Sequence, residues 1–348
     1  MTEWTYENYN IDINNLQMEM TKLRIAVFNM RPDEEEYFSI YRKQYHTELS
    51  VTNESPTLCN LSVTEGCQAV SVITTPIGRE LLDAWKAQGI QTISTRTVGY
   101  DHIDLAYAKE IGITVSNVSY TPHTVAEYTV MAMLMTIRKM KTILLRYQVQ
   151  DYSLSQVRGR ELGNMTVGVV GTGKIGEMVI RNLSGFGCRI FAFDPYEKES
   201  VKAFAQYTNL DTIWKECDMI TFHTPALEST YHMVREETLN QMKQGVILIN
   251  MARGAIMDTD ALIKALESGK VAAAALDVIE NEGKIYYKDY KYAVTGNHDM
   301  ALLSTMPNVL MTPHTAFFTD EAVSDMIQYS IESCVAELKN EENPRRIL

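Results

Sequence analysis

The segment VGVVGTGKIG, residues 167–176, decides the fold of this chain. A β-branched run that ends in glycines spaced G-x-G-x-x-G is typical of the turn by which a strand passes into a helix and binds a dinucleotide pyrophosphate. The flanking sequence supports this interpretation: residues 175–186 have helical spacing, RIFAF (189–193) predicts a second strand, and Asp194 follows it. An acidic residue about twenty positions after the turn binds the ribose in this fold. The segment therefore predicts an NAD-binding Rossmann domain, whereas an isolated glycine pattern would fit an ordinary structural turn.

Each residue of the turn has an expected role. Gly171 permits the sharp turn, Gly173 lets the backbone approach the pyrophosphate, and Gly176 lets the helix pack on the sheet. The helix N-terminus adds positive potential at the same place. Asp194 is expected to accept hydrogen bonds from both ribose hydroxyls and to repel a 2′-phosphate, which favours NAD over NADP. Lys198 lies nearby in the sequence and weakens that preference.

Composition and charge limit the class of protein. A chain of 348 residues with 45% hydrophobic residues is expected to form two domains. The net charge of −12, with no run of Lys and Arg longer than two, makes nucleic acid and anionic membranes poor partners. Five cysteines without a C-x-x-C spacing favour neither disulfides nor a metal site, so a reducing cytoplasm is the expected location. Residues 1–22 lack the features of a secretory signal, and residues 128–145 carry too many charges to span a bilayer.

Short β-branched runs alternate with helical stretches along the whole chain. Most of these runs are continuously apolar, which is typical of parallel strands covered on both faces. We therefore predict an α/β protein with two doubly wound parallel-sheet domains and a boundary near residue 118. After Pro122, the pair Thr124 and Glu127 predicts a capping box and a helix that continues to about residue 147. The predicted strands are residues 24–30, 69–74, 91–95 and 113–117 before the glycine turn, and 189–193, 218–223, 246–250, 272–277 and 308–312 after it.

Polar residues that follow three of the later strands form a candidate catalytic set. Arg253 follows the strand at 246–250, Glu282 lies beyond the strand at 272–277, and His314 comes after the last strand. Ligands of open α/β sheets bind at the carboxyl ends of the strands. Singly, Arg253 could pair with a structural carboxylate, Glu282 could be solvated, and His314 could cap a turn. Together, beside a nicotinamide site, the three residues suit the reduction of a carbonyl by hydride.

The chemistry of 2-keto acids gives each residue a predicted role. Such a substrate needs a cation that holds its carboxylate and polarises its keto oxygen, and Arg253 is predicted to do both through bidentate hydrogen bonds. The keto oxygen also needs a proton as the hydride arrives, and histidine titrates near neutrality. His314 is therefore the predicted general acid, and Glu282 is predicted to orient its ring and favour its charged form.

These segments together resemble the D-2-hydroxyacid dehydrogenase family. The similarity lies in the glycine turn, NMARG (250–254), the Asp277-to-Glu282 spacing and MPNVLMTPHTAF (306–317). TRTVGYDHID (95–104) is similar to the D-lactate dehydrogenase branch, in particular to the vancomycin-resistance-type enzymes. The resemblance covers roughly residues 70–335.

The resemblance implies an arrangement of domains. An NAD-binding domain at 119–314 would be inserted into a flavodoxin-like substrate-binding domain made of 1–118 and 315–348. It also implies D stereochemistry and a homodimer whose interface includes the helix after Pro122. The glycine turn would then lie midway along the chain because part of the substrate domain precedes it.

Carried over residue by residue, the resemblance implies two sets of contacts besides the catalytic residues. The positions expected at the substrate are Val98 and Gly99, whose backbone N–H groups would hold its carboxylate, with Tyr100, Tyr120 and Arg253. The positions expected at the cofactor are Gly171, Gly173, Lys174, Ile175, Gly176, Asp194, Thr224, Pro225, Thr230, Met251, Ala252 and Asp277.

The chain departs from the family pattern at three positions. Lys174 stands where this branch often has His, Phe318 where it often has Tyr, and Ile77 near a position that is often aromatic. The missing ring at Ile77 predicts spare room, whereas Tyr100, Tyr120 and Phe318 are expected to crowd a large aromatic substrate. Pyruvate and 2-ketobutyrate are therefore expected to be good substrates, a branched keto acid to be tolerated, and phenylpyruvate to be poor. Residues 283–305, rich in tyrosine, are interpreted as a packed surface loop rather than a lid.

Other functions remain open. The same fold could serve an NAD-sensing binding protein, although the complete Arg253, Glu282 and His314 set disfavours it. A formate-dehydrogenase-like hydride donor usually pairs its histidine with Gln, whereas Glu282 is a carboxylate. A D-2-hydroxyacid dehydrogenase for a larger keto acid is the remaining alternative.

Overall fold

The computed structural model of the chain describes residues 22–348, which divide into two compact units. Among the described residues, one unit is 22–120 together with Val323–Leu348, and the other is Thr121–Ala322. The predicted α/β fold, in which a Rossmann-like unit is inserted into a flavodoxin-like unit, is confirmed. The units divide two residues after the predicted boundary at 118 and eight residues after the one at 314. The roles of the two units in binding cofactor and substrate stay predictions at this point.

The first unit contains a sheet of five parallel strands in the order β2-β1-β3-β4-β5. This order is that of flavodoxin-like sheets, which carry helices on both faces. The strands are β1 Arg24–Val27, β2 Glu48–Val51, β3 Ala69–Val72, β4 Thr92–Thr95 and β5 Thr114–Ser116. The helices are α1 Glu35–Gln44, α2 Arg79–Ala87, α3 Leu105–Glu110 and most of α12 Asp320–Leu338, with 3-10 turns at Pro32–Glu34 and Leu58–Thr64.

Helices cover both faces of this first sheet. On one face, Val70 packs with Leu82 and Trp85 of α2. On the other face, Ile25 packs with Ile327 of α12, which returns from far along the chain. The central strands β1 and β3 are buried on both sides, which explains why their residues are mostly apolar without alternation.

The second unit contains a sheet of seven parallel strands in the order β12-β11-β10-β9-β6-β7-β8. The strands are β6 Thr166–Val170, β7 Arg189–Phe193, β8 Gln206–Tyr207, β9 Met219–Phe222, β10 Val246–Asn250, β11 Val271–Leu276 and β12 Val309–Met311. The helices are α4 His123–Ile137, α5 Met140–Gln148, α6 Lys174–Ser184, α7 Glu199–Lys202, α8 Leu210–Glu216, α9 Glu236–Gln241, α10 Thr259–Glu267 and α11 His298–Thr305.

The order of the second sheet reverses between β6 and β9, which pair with each other. A crevice at the carboxyl ends of the strands on either side of such a reversal is where doubly wound sheets bind ligands. Gly171 follows β6 directly and His223 follows β9 directly, so both lie at this switch point. The three loops after β10, β11 and β12 leave the same edge of the sheet.

Four details of the sequence-based prediction are wrong. The edge strands β2 and β8 were not predicted. The capping box fails because Pro122 occupies the N-cap position of α4 and the Thr124 hydroxyl pairs instead with that of Thr319, 3.3 Å away. The predicted single helix is two helices, because Lys139 between α4 and α5 adopts a left-handed conformation with φ of 53°. The predicted loop at 283–305 ends in a helix, α11.

Among residues 22–348, no helix combines the length and the apolar character that crossing a membrane requires. The predicted absence of a secretory signal concerns residues 1–22, nearly all of which lie outside the described residues.

Candidate active site

The three glycines of the turn between β6 and α6 each meet a different constraint. Gly171 has a φ of +93°, and a Cβ there would lie 2.7 Å from the carbonyl carbon and oxygen of His223. A Cβ on Gly176 would lie 1.9 Å from the carbonyl oxygen of Gly171, so only glycine lets the helix approach the turn so closely. A Cβ on Gly173 would meet no atom within 4 Å. The turn is therefore closely packed at Gly171 and Gly176, whereas the space beside Gly173, at the N-terminus of α6, is open.

The open side of the turn has the features of an anion-binding site. Gly173 is the N-cap of α6 and offers no side chain to its N–H groups, which leaves them to an external acceptor. Lys174, the first residue of α6, is exposed and has no ion-pair partner among the described residues. Ile175, also in the first turn, is half-buried. Thr224, after β9, has a buried hydroxyl without a hydrogen-bond partner in the described part of the chain. These residues fit a dinucleotide pyrophosphate.

Asp194 follows β7 and is fixed by two backbone N–H groups. Its Oδ2 accepts from Thr172 N at 2.7 Å and its Oδ1 from Tyr196 N at 2.9 Å. The carboxylate thus lies beside the glycine turn, where a ribose acid is expected. Lys198 pairs with Glu177 at 3.3 Å, so a neighbouring negative charge offsets its own. The hydrogen bond from Arg181, helped by Lys198, lowers the pKa of Glu177 and keeps it charged.

His223 lies at the switch point as an uncharged ring. Its Nε2 pairs with the Thr221 hydroxyl at 2.9 Å. Burial lowers the pKa of His223 to about 3, so the imidazole is neutral at physiological pH. The positive potential at this crevice therefore comes from the N-terminus of α6 and from Lys174.

The other predicted cofactor positions lie in the loops after β9 and β10. The Thr230 hydroxyl donates to Pro225 O at 2.6 Å and accepts from Leu227 N at 2.8 Å, which fixes the first of these loops. Met251 is buried and Ala252 is half-buried. Contacts of these residues with a cofactor stay predictions.

Glu282 and His314 are in direct contact. His314 Nδ1 donates to Glu282 Oε1 at 2.5 Å, and Glu282 Oε2 accepts from Ile279 N at 2.8 Å. His314 Nε2 has no hydrogen-bond partner among residues 22–348. The carboxylate therefore orients the ring and leaves the second ring nitrogen available to a ligand.

Asp277 fixes the turn that carries His314. Its carboxylate accepts from Thr315 N and Ala316 N, both at 2.9 Å, and from the Thr312 hydroxyl at 2.6 Å. Its carbonyl oxygen accepts from His314 N at 2.8 Å. His314 has a left-handed φ of 53°, which costs free energy in a non-glycine residue, and these bonds hold it there. Asp277 is predicted to contact the cofactor, and the structure shows it supporting this turn.

Arg253 lies in the loop after β10, packed against the loop after β11. A Cβ on Gly254 would lie 2.1 Å from Ile279 C, so glycine is required for this contact. Asn250 Nδ2 donates to Arg253 O at 2.9 Å, and Arg253 Nη1 donates to Ala252 O at 2.8 Å. Because β10, β11 and β12 are adjacent, Arg253, Glu282 and His314 follow three neighbouring strands at one edge of the sheet.

Two contacts near this edge were not predicted. The Tyr287 hydroxyl donates to His314 O at 2.9 Å, so the segment after Glu282 also supports the turn that carries His314. His232 Nε2 pairs with Glu280 Oε1 at 2.7 Å, which joins the loop after β9 to the loop after β11. Both depend on residues far apart in sequence, and nothing in the local pattern indicated them.

In the first unit, the loop after β4 carries Val98 and Gly99. Asn117 Nδ2 donates to Val98 O at 2.7 Å, and the Thr97 hydroxyl donates to Gly99 O at 2.6 Å. The backbone N–H groups of Val98 and Gly99 have no acceptor in the part of the chain that the structure describes. Both carbonyls are thus held while both amides are available, as a carboxylate-binding loop requires.

The remaining predicted substrate residues differ in exposure. Tyr100 is exposed beside this loop, and Tyr120 is half-buried at the end of the same unit. Phe318 is exposed in the second unit, with its ring against Phe317. Ile77 is 1% exposed and lies in the core of the first unit, and the spare room expected there stays a prediction.

Comparisons with known proteins agree with this geometry. Residues 130–316 match the family model described as "D-isomer specific 2-hydroxyacid dehydrogenase, NAD binding domain". A D-specific alpha-keto acid dehydrogenase of Enterococcus faecium is 38% identical over 317 residues, which cover 91% of this chain and 97% of that protein. An aromatic 2-oxoacid reductase of Clostridium sporogenes is 39% identical over 314 residues, 89% of this chain and 94% of that protein. The crystal structure of a D-lactate dehydrogenase from Treponema pallidum superposes with a TM-score of 0.84 at 32% identity, covering 94% of this chain and all of that one.

Proposed function

The chain belongs to the D-isomer specific 2-hydroxyacid dehydrogenase family, and from this premise we propose that it reduces a small 2-keto acid, pyruvate or a close analogue, to the D-2-hydroxy acid with NADH. In this proposal Arg253, Glu282 and His314 are the catalytic residues. Val98 and Gly99 bind the substrate carboxylate, and Tyr100 and Tyr120 line the substrate site. The cofactor contacts are those named from the sequence.

The observation that carries the proposal is the His314–Glu282 pair. A histidine held at Nδ1 by a carboxylate, with Nε2 available to a ligand, is the arrangement of a general acid. The same sheet edge bears an arginine, and the glycine turn fits a dinucleotide. An NAD-sensing protein would need the turn and would have no use for the pair.

The proposed reaction assigns one task to each group. The nicotinamide, when bound, supplies the hydride that adds to the keto carbon. The Arg253 guanidinium holds the carboxylate and polarises the keto oxygen. His314 Nε2 gives its proton to that oxygen as it becomes a hydroxyl, and Nδ1 keeps its hydrogen bond to Glu282. The neutral imidazole then takes a proton from water before the next turnover.

A panel of 2-keto acids tests the substrate class. With NADH, we expect kcat/KM to be high for pyruvate and 2-ketobutyrate, lower for a branched keto acid and lowest for phenylpyruvate, with the D product throughout. Each methylene that a pocket excludes or loses is worth about 10- to 200-fold in kcat/KM. The low expected rate with phenylpyruvate rests on the rings of Tyr100, Tyr120 and Phe318, which are predicted from the sequence to crowd a large aromatic substrate. No turnover of any keto acid would favour the NAD-sensing alternative.

A dehydrogenase for a larger keto acid is the second candidate. The relative in Clostridium sporogenes is named an aromatic 2-oxoacid reductase and is about as similar to this chain as the enterococcal one. The same panel separates the two candidates, because phenylpyruvate as the best substrate would replace pyruvate in the proposal. The roles of Arg253, Glu282 and His314 would be unchanged.

The position of Asp194 predicts which of the two nicotinamide cofactors the protein prefers. We expect the protein to prefer NADH strongly over NADPH, and Asp194→Ala to narrow the ratio of the two kcat/KM values, because the carboxylate repels a 2′-phosphate. Glu197→Ala is the matched control, since Glu197 is an exposed acid of the same segment that pairs with Lys202. It should leave the ratio unchanged. Equal efficiency with NADPH in the unmutated protein would contradict the role of Asp194.

Assembly and location belong to the same proposal. Exposed apolar side chains on α4, α5 and the segment after them support a homodimer that uses this surface, and they include Met131, Leu144, Leu145, Tyr147 and Val149. All five cysteines are unpaired, which is compatible with a reducing compartment. We therefore propose a cytoplasmic homodimer.

A further inference from the structure

A fully buried ion pair lies in the first unit, at the carboxyl ends of its central strands. Arg96 and Glu34 are both 0% exposed, and Arg96 Nε donates to Glu34 Oε1 at 3.2 Å. The Arg96 guanidinium also donates to the Ser71 hydroxyl at 3.0 Å and to Phe28 O at 2.9 Å. One side chain therefore joins the ends of β1, β3 and β4 to the 3-10 turn that carries Glu34.

Stability alone does not explain this pair. Removing two charges from water is costly, and well-packed apolar residues in place of a buried ion pair often leave a protein equally or more stable. Burial lowers the pKa of Arg96, while the charge of Glu34 opposes that shift. What the pair supplies is a fixed geometry, because the planar guanidinium holds several acceptors at defined angles.

Arg96 fixes the start of the loop after β4, which carries the available backbone N–H groups of Val98 and Gly99. Its own backbone N–H donates to Val72 O at 2.8 Å, which extends the pairing of β4 with β3 by one residue. Val98 and Gly99 follow only two and three residues later. Between them and Arg96, Thr97 is tied to Thr95 through their hydroxyls at 2.6 Å. The position of the two amides therefore depends directly on where Arg96 is held.

We propose that the Arg96–Glu34 pair is a positioning device for the substrate carboxylate: it holds the β4 end so that the Val98 and Gly99 amides converge on one anion. The inference rests on the proposed function, which supplies the carboxylate. Arg96 itself is a positioning residue, since it acts through the loop. By positioning the two amides, Arg96 determines the selectivity of the protein for a charged keto acid over an uncharged keto compound.

The test compares pyruvate with its methyl ester, which lacks the charged carboxylate. The double variant Arg96→Met with Glu34→Met removes both charges together, so the net charge is unchanged, and Arg31, which also pairs with Glu34 at 3.3 Å, keeps its pairing with Asp33 at 3.0 Å. We expect the ratio of kcat/KM for pyruvate to that for methyl pyruvate to fall on the order of tenfold or more, the value of a hydrogen bond to a charged group. NADH affinity, measured by fluorescence titration, should be unchanged.

A general structural defect would lower kcat/KM for both substrates by the same factor and leave their ratio constant. That result would overturn the inference. Should the double variant fail to fold by circular dichroism, Ser71→Ala removes one acceptor of Arg96 and should lower the ratio in the same direction by a smaller factor. An unchanged ratio in that variant would equally overturn it. Failure of the unmutated protein to reduce pyruvate would instead refute the proposed function.

Discussion

Replacing His314 with glutamine is expected to lower kcat for keto-acid reduction by about 10²- to 10⁴-fold, the usual contribution of a general acid. Glutamine is a polar side chain of similar length but cannot act as a general acid. The decrease in kcat therefore measures the contribution of proton transfer. NADH binding, measured by fluorescence titration, should change little. His232→Gln is the matched control, because His232 is also paired with a glutamate, at 2.7 Å, but lies outside the predicted catalytic set. It should retain kcat within a few-fold.

Glu282, the hydrogen-bond partner of His314, gives a related prediction. Glu282 Oε1 holds His314 Nδ1 at 2.5 Å and so directs Nε2 toward a ligand. Glu282→Gln should therefore lower kcat for keto-acid reduction, with little change in NADH binding by fluorescence titration, because the ring loses its charged partner. An unchanged kcat in this variant would mean that the pair does not deliver the proton.

Replacing Arg253 with glutamine is expected to reduce kcat/KM by about 10³-fold or more. The change removes both the grip on the carboxylate and the positive charge facing the keto oxygen, and a single oxyanion donor is commonly worth about 10²- to 10³-fold in kcat. Arg253→Lys should recover only part of the loss, because an ammonium lacks the bidentate fork. The readout is steady-state kinetics with pyruvate.

The control for Arg253 is Arg235→Gln. Arg235 is an exposed arginine of the same unit that pairs with Glu237 at 2.9 Å. It should keep kcat/KM near the unmutated value. Comparable losses in the two variants would show that the effect of Arg253 comes from general charge or folding.

The parts of the fold that local chemistry dictates were predictable. The glycine turn is one, because Gly171 and Gly176 occupy places where a Cβ would collide with backbone. The central strands are another, because burial on both faces makes them continuously apolar. The edge strands lack this apolar signal and were missed. β2 buries none of its residues fully, and β8 is only two residues long.

The candidate catalytic residues could be proposed from their positions after strands, and the contact of Glu282 with His314 was expected, whereas most other contacts near them were not. Arg253, Glu282 and His314 each follow a strand, and parallel strands end at one edge of the sheet. The buried pair of Arg96 with Glu34 joins residues 62 positions apart, and only the packed structure brings them together. The break at Lys139 is invisible for a different reason, since lysine gives no signal of a left-handed backbone.

The core of the first unit closes on α12, and this has a consequence for biosynthesis. The hydroxyls of Ser71 and Ser330 meet at 2.7 Å although they are 259 residues apart in the chain. At a synthesis rate of about 5–20 residues per second, roughly 10 to 50 seconds pass between the emergence of β3 and that of its covering helix. During that interval the contiguous inserted unit is completed first, while the face of the first sheet around Ile25 and Ala69 still lacks its cover. The nascent chain thus exposes one apolar face of the first sheet until α12 has been synthesised. This is the stage at which a chaperone would recognise it.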